Sequence, residues 1–171
     1  MSTESRAGHV VVTPAYNEAD YLPGLITSMV AQTKQPDQWL IVDDHSTDGT
    51  SEILEAACAA HPWIVHLRVE HEGERAVGSK VAKLFLWGLS QASVSWMFCS
   101  KIDADLTLPP DYFSRIFDEF ECSAELGIAS GGCYDRLGDE LHLERVASDH
   151  TRGALKTYRR TCYEQIGGVR G

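Results

Sequence analysis

The sequence predicts an α/β fold: a mostly parallel, Rossmann-like sheet flanked by helices, with a mixed or antiparallel C-terminal addition. Three observations predict it. Short apolar runs alternate four times with segments whose apolar residues recur at helical spacing, the pattern of successive βαβ units. The first, second and fourth of these runs end in clusters of polar residues, which is where an open parallel sheet collects its ligands. After Ile128 the alternation stops, and Gly131-Gly132 with an alternating stretch at residues 141–146 points to irregular or antiparallel structure. A length of 171 residues suits one domain with one sizeable core, preceded by a polar lead over residues 1–8 that is expected to be flexible.

The elements follow in order. Residues 9–13 (HVVVT) are β-branched and end at Pro14, so they form the first strand. Residues 20–32 put Leu22, Leu25, Ile26, Met29 and Val30 on one helical face. Residues 39–42 (WLIV) form a buried second strand, ended by Asp43 and Asp44. Asp48 or Thr50 is suited to cap a second helix that buries Ile53, Leu54, Ala57 and Cys58. Residues 64–69 are a third strand, and residues 77–89 a third helix with Val81, Leu84, Phe85 and Leu89 inward. Residues 95–102 (SWMFCSKI) are a fourth strand ended by Asp103. Residues 110–121 are a fourth helix, started by proline and lined by Phe113, Ile116, Phe117 and Phe120.

Charge and composition exclude several functions. Acidic residues number 25 and basic ones 15, a net charge of -10, so no nucleic-acid or anionic-membrane partner is expected, although a local phosphate site remains compatible. The five cysteines are odd in number, widely spaced and without a Cys-x-x-Cys, which fits reduced thiols in a cytoplasmic protein. The polar residues 1–8 do not read as a signal peptide, so none is expected, and no apolar run approaches the roughly 20 residues that span a bilayer. The expected location is the cytoplasm, or the inner face of the membrane.

Three polar clusters from distant parts of the chain are expected to meet at one sheet edge: residues 13–18 (TPAYNE), 43–50 (DDHSTDGT) and 103–105 (DAD). Carboxylates gathered there repel one another, and a divalent cation relieves the repulsion. In an extended Asp-x-Asp the two side chains face the same way, and they are hard oxygen donors suited to Mg²⁺ or Mn²⁺. Such a metal favours an anionic ligand, a diphosphate above all, and Arg75 and Lys80 near Gly73 and Gly78 add positive charge beside it. The edge reads as a site for a nucleotide plus a metal.

The motifs Thr-Pro-Ala-Tyr-Asn-Glu, Val-Asp-Asp-His-Ser-Thr-Asp-Gly-Thr and Ile-Asp-Ala-Asp, with the later stretch from Tyr158-Arg159-Arg160 to Ile166-Gly167-Gly168, resemble those of family 2 glycosyltransferases. The resemblance implies a GT-A-type fold. It also implies a UDP- or GDP-sugar donor and transfer of the sugar to a hydroxyl on a glycan or lipid-linked acceptor, as in surface polysaccharide or glycolipid synthesis. By position it implies that Thr13, Ala15, Tyr16 and Glu18 hold base and ribose. Asp43 would pair with the nucleobase beside Asp44, and Arg75 and Lys80 would contact the nucleotide. Asp103 and Ala104 would lie at the donor, and Asp105, with Asp103, would ligate the metal. His150 and Arg152 fall where the acceptor side begins. The family's catalytic base follows the Gly-Gly segment, and no residue here matches it, so the C-terminal part of the family domain is expected to be absent. The implied reaction is a metal-dependent displacement with inversion at the anomeric carbon.

Plainer readings exist for each motif. Asp43 to Asp48 fits a turn with a helix cap, and the Asp103–Asp105 segment fits a solvated strand end. Tyr16 fits a packing aromatic, and Arg75 and Lys80 fit surface pairing with Glu70, Glu72 and Glu74. His61, His66 and His71 are expected at surfaces, the tryptophans in or beside the core, and Cys99 as an inert buried thiol. The motif Asp103-Ala104-Asp105-Leu106-Thr107 also resembles the nucleophile motif of Mg²⁺-dependent haloacid-dehalogenase-type phosphatases, but three βα units precede it. A non-catalytic nucleotide-sugar-binding domain is the other alternative. A dinucleotide-binding domain is disfavoured because no Gly-x-Gly-x-x-Gly follows the first strand.

Overall fold

The computed structural model describes residues 8–69, 79–137, 140–144 and 151–169. The lead up to residue 7, the segment holding His71, Arg75 and their neighbouring glutamates and glycines, the first residues of the expected third helix, Val146 and His150 lie outside the described residues.

Strands β1 (His9–Ala15), β2 (Gln38–Asp43), β3 (Ile64–Arg68) and β4 (Phe98–Ile102) alternate with helices α1 (Leu22–Val30), α2 (Thr50–Ala60), α3 (Ser79–Ser90) and α4 (Tyr112–Cys122). Then come β5 (Ile128–Ala129), β6 (Tyr134–Leu137), β7 (Glu140–Leu143), β8 (Leu155–Arg159) and α5 (Arg160–Gln165). The main sheet runs β3-β2-β1-β4-β8-β5, with β6 and β7 forming a separate hairpin. β1 to β4 are parallel, and β8 runs antiparallel to both β4 and β5, which is the expected mixed addition.

The strand period of two sorts the core. Val11, Trp39, Ile41, Phe98 and Ile102 face α1, α2 and α4, while Val10, Val12, Leu40, Val42 and Cys99 face α3. Helix α3 seats on the sheet through Gly88, where an added Cβ would stand 2.6 Å from Val42 Cγ2 and 2.8 Å from Val12 Cγ1. α4 buries its expected aromatic face of Phe113, Ile116, Phe117 and Phe120.

Four expectations need correction. β1 continues through Pro14 to Ala15; the ladder on its β4 side stops at Val12, so the missing proline N–H costs no bond there. β4 begins at Phe98, because Met97 and Phe98 both donate their N–H to Gly8 O before regular pairing starts. Val81 is 38% exposed, since the inward line of α3 is Ala82, Phe85 and Leu89 and Val81 sits one position off it. At α2 neither expected residue occupies the cap position: Gly49 does, at φ +93, and Asp48 instead accepts from the Thr50 N–H and hydroxyl.

Candidate functional site

The ends of β1 and β2 are joined at Ala15↔Asp43, and Asp44 donates its N–H to Ala15 O at 2.9 Å. The two loops that follow are laced together. Asn17 takes a left-handed φ of +55, a conformation asparagine tolerates better than most residues. Its N–H donates to Ser46 Oγ at 2.9 Å, and its Oδ1 accepts from Thr47 N at 2.8 Å. Glu18 N donates to Thr50 Oγ1 and Ala19 N to Asp48 Oδ2. The polar residues of the first two clusters therefore build a cradle from each other's backbone.

Asp43 is the anchor of that cradle. It is wholly buried, with Oδ1 accepting from Ser46 N at 2.9 Å and Oδ2 from Ser51 Oγ at 2.7 Å. His66 Nε2 on β3 lies 3.5 Å from Oδ2, which places His66 against a buried carboxylate and not at the surface. Burial pushes the Asp43 carboxyl up, but His66 beside it and the Ser46 and Ser51 donors outweigh burial and hold it well below the usual carboxylate range. Its neighbour Asp44, with a side chain 11% exposed, turns to α3, where its Oδ2 lies 2.5 Å from Lys80 Nζ. Lys80 is thus ion-paired across to β2.

The remaining expected residues divide. Thr13 is buried and its hydroxyl accepts from Trp39 Nε1 at 2.9 Å, and Ala15 is also buried, so both lie beneath the edge. Tyr16 is 39% exposed above them. β4 lies beside β1, and two residues past the Val12↔Lys101 pair the chain reaches Asp103. Asp103 N donates to Ala154 O at 2.8 Å, Ala104 is buried and Asp105 is exposed. Glu18 from the first loop faces this segment. Burial raises its carboxyl above the usual range, and Asp105, Asp103 and Asp48 nearby raise it further. Burial likewise raises Asp103, against the pull of Lys101.

Carboxylates from β1, β2 and β4 are therefore gathered at one edge, where their mutual repulsion adds to burial in raising Glu18. These are hard oxygen donors and fit Mg²⁺ or Mn²⁺. Among the described residues no group of three or more ligating side chains stands ready to hold an ion, so a cation here would take part of its coordination from the ligand it accompanies, the usual manner of Mg²⁺.

Two cations near the edge received no role from the sequence. Lys101 is a buried lysine within β4, paired with Asp103. Its signal was a lysine in an otherwise uncharged strand, two residues before an aspartate. Arg152, ahead of β8, pairs with Glu144, and its guanidinium stands beside the half-buried Cys133 thiol, which burial raises and Arg152 lowers. A separate cavity of about 400 Å³, lined by Leu126, Ile128, Arg159 and Cys162 among others, includes none of these strand-end residues. No described helix is long and apolar enough to cross a membrane.

Residues 10–168 match the profile of the family described as "Glycosyl transferase family 2". The chain is 34% identical to a polyprenol monophosphomannose synthase from Mycolicibacterium smegmatis, over 92% of this chain and 63% of the relative. It is 30% identical to a dolichol-phosphate mannosyltransferase from Saccharomyces cerevisiae, over 63% of this chain and 39% of the relative. Among solved structures it resembles a mannosyltransferase from Pyrobaculum calidifontis in complex with GDP-Man and Mn²⁺, with a TM-score of 0.73, 20% identity, and coverage of 98% of this chain and 48% of the other. It also resembles S. aureus TarS 1-349 in complex with UDP, with a TM-score of 0.66, 19% identity, and coverage of 94% and 49%. The two structures share the GT-A-like fold at this level of identity. The chain spans less than two thirds of the length of each of these relatives.

Proposed function

This chain belongs to glycosyl transferase family 2, and from that premise we propose that its strand-end edge binds a nucleotide-diphosphate sugar and offers the sugar to an acceptor oxygen. The observation that carries the reading is the convergence of carboxylates from β1, β2 and β4 on a cradle whose backbone is already fixed. Asp43 holds the turn from beneath. Asp43 and its neighbour Asp44, which pairs with Lys80, lie on the nucleobase side, and Tyr16 and Glu18 flank base and ribose. Thr13 and Ala15 contribute through the shape of the strand end, and Arg75 remains a candidate nucleotide contact.

Asp103, Ala104 and Asp105 lie at the diphosphate, where Asp105 and Asp103 are the candidate ligands of Mg²⁺ or Mn²⁺. Such a cation supplies positive charge to the departing diphosphate. The presence of Mn²⁺ with GDP-Man in the Pyrobaculum mannosyltransferase supports this reading. In the reaction an acceptor oxygen forms a bond to the anomeric carbon as the bond from that carbon to the diphosphate oxygen breaks, with inversion, and the nucleoside diphosphate leaves. The names of the relatives favour a lipid-linked acceptor of the polyprenyl phosphate class over a free glycan. Such an acceptor would be met at the inner face of a membrane.

Calorimetric titration with UDP and with GDP, each in Mn²⁺ and in EDTA, tests the donor site. Metal-dependent binding of one of them is expected and names the donor class. Absence of binding by both refutes the reading.

A further inference from the structure

β4 reads Phe-Cys-Ser-Lys-Ile, and its single charged residue is buried, with the Lys101 side chain 10% exposed. The strand period puts Lys101 on the same face as Asp103. Its ammonium donates to Asp103 Oδ1 and to Gly153 O, the latter at 2.9 Å. The Asp103 N–H donates to Ala154 O at 2.8 Å, so side chain and backbone both tie the Asp103 turn to the two residues that lead into β8. A buried ammonium is costly unless it is paired and hydrogen-bonded, and this one has both kinds of partner. It differs in this from Lys34, whose contact with Glu121 is long and exposed on both sides.

We propose that Lys101 is a positioning residue that acts as the fixed counter-ion of Asp103. It clamps the Asp-x-Asp turn to Gly153-Ala154 and occupies Asp103 Oδ1, so that Asp103 can meet a metal only through Oδ2. The inference rests on the donor-site reading above. Its physical basis is charge. An oxygen already bonded to an ammonium shares a divalent ion only by bringing two cations within a few ångströms of each other, where their repulsion is strong in a partly buried site. Asp105 is exposed and, among the described residues, has no lysine or arginine paired with it; Glu18 and Asp103 are the carboxylates it faces.

The test is a double-mutant cycle read by Mn²⁺ electron paramagnetic resonance, which counts free Mn²⁺, in the presence of whichever of UDP or GDP binds. Lys101→Met is expected to tighten Mn²⁺ binding by roughly tenfold, the scale of coupling between contacting charges, because Asp103 Oδ1 becomes free to ligate. Asp103→Asn alone is expected to weaken Mn²⁺ binding, and in its background Lys101→Met is expected to bring much less of the gain; an equal gain in both backgrounds marks plain charge removal and overturns the proposal. Asp105→Asn is expected to abolish binding. Unchanged or weaker Mn²⁺ binding in folded Lys101→Met overturns the proposal. Should Lys101→Met not fold, Lys101→Gln takes its place in the same cycle, with the same outcomes supporting or overturning the proposal. If the unaltered protein binds no nucleotide with Mn²⁺, the donor-site reading itself fails. If it binds and the cycle shows no coupling, only the role of Lys101 fails.

Discussion

Asp43→Asn keeps the outline of a wholly buried side chain and removes its charge. The amide oxygen can still accept from Ser46 N, and the amide nitrogen then faces Ser51 Oγ, whose hydroxyl must rotate to accept. Both contacts survive in form, but neither is assisted by charge. Hydrogen bonds to charged groups are worth about 1.5–3 kcal/mol against about 1 for neutral ones, so the substitution is expected to cost about 1–3 kcal/mol at pH 7. The dependence on pH has a definite sign. Burial alone would raise this carboxyl, and His66, Ser46 and Ser51 overcome it, so the folded value lies below the unfolded one of about 3.9. The unfolded chain therefore takes up the proton first. The stabilisation is full above the unfolded value and drains away as pH falls below it toward the depressed folded value. Urea unfolding of both proteins at pH 7, 5 and 3 measures this, and the gap between them is expected to persist from pH 7 to 5 and to narrow at pH 3. A gap that stays constant to pH 3, or that is absent at pH 7, would refute the assignment of Asp43 as the charged anchor of the cradle.

Gly88→Ala places a methyl about 1 Å inside normal carbon contact with Val42 and Val12, both wholly buried. The expected loss is about 1–3 kcal/mol, softened by up to about 1 kcal/mol of helix propensity, and a raised urea midpoint would contradict the packing. Thr13→Val leaves the Trp39 indole N–H buried without its acceptor and is expected to cost about 1–3 kcal/mol in the same assay, with no loss disproving the role of that bond. Asp105→Ala is expected to weaken nucleotide binding by calorimetry about tenfold or more in Mn²⁺ while leaving binding in EDTA unchanged, and equal losses under both conditions would remove it from the metal. Asp44→Asn, which disrupts the pair with Lys80, is expected to weaken nucleoside diphosphate binding even in EDTA, and unaltered affinity would take Asp44 out of the nucleotide site.

The layered fold was legible because β-branched and apolar runs such as HVVVT and WLIV can be buried on both faces only in a parallel sheet covered by helices. The convergence of the polar clusters was legible for the same reason, since parallel strands all end at one edge. Depth along that edge was not legible. Thr13 and Ala15 sit in the same hexapeptide as Tyr16 and Glu18, but the pleat and the Trp39 indole put the first two beneath the surface. Of two adjacent aspartates, Asp43 is wholly buried and Asp44 turns to Lys80, and the pleat that parts them cannot be read from two identical letters. His66 reads as a surface residue because its neighbour across β2 is set by pairing, Ile41↔His66, and no local pattern reveals that. Lys101 stood in plain view as a lysine inside a strand, and its meaning needed the i, i+2 relation to Asp103.

The position of β8 has a consequence for synthesis. Among the described strands it comes last in sequence, yet it lies between β4 and β5 and pairs with both. A nascent chain that ends before residue 155 can assemble β1 to β4 with their covering helices, but it leaves the β4 edge unpaired and β5 without the neighbour it has in the finished sheet. An open strand edge is a template for pairing with another chain. Closing it requires β8 to insert after a long excursion from β5, a non-local step that is intrinsically slow. The interval between the emergence of β4 and that of β8 is thus when self-association threatens this protein most, and elongation through that stretch sets how long the hazard lasts.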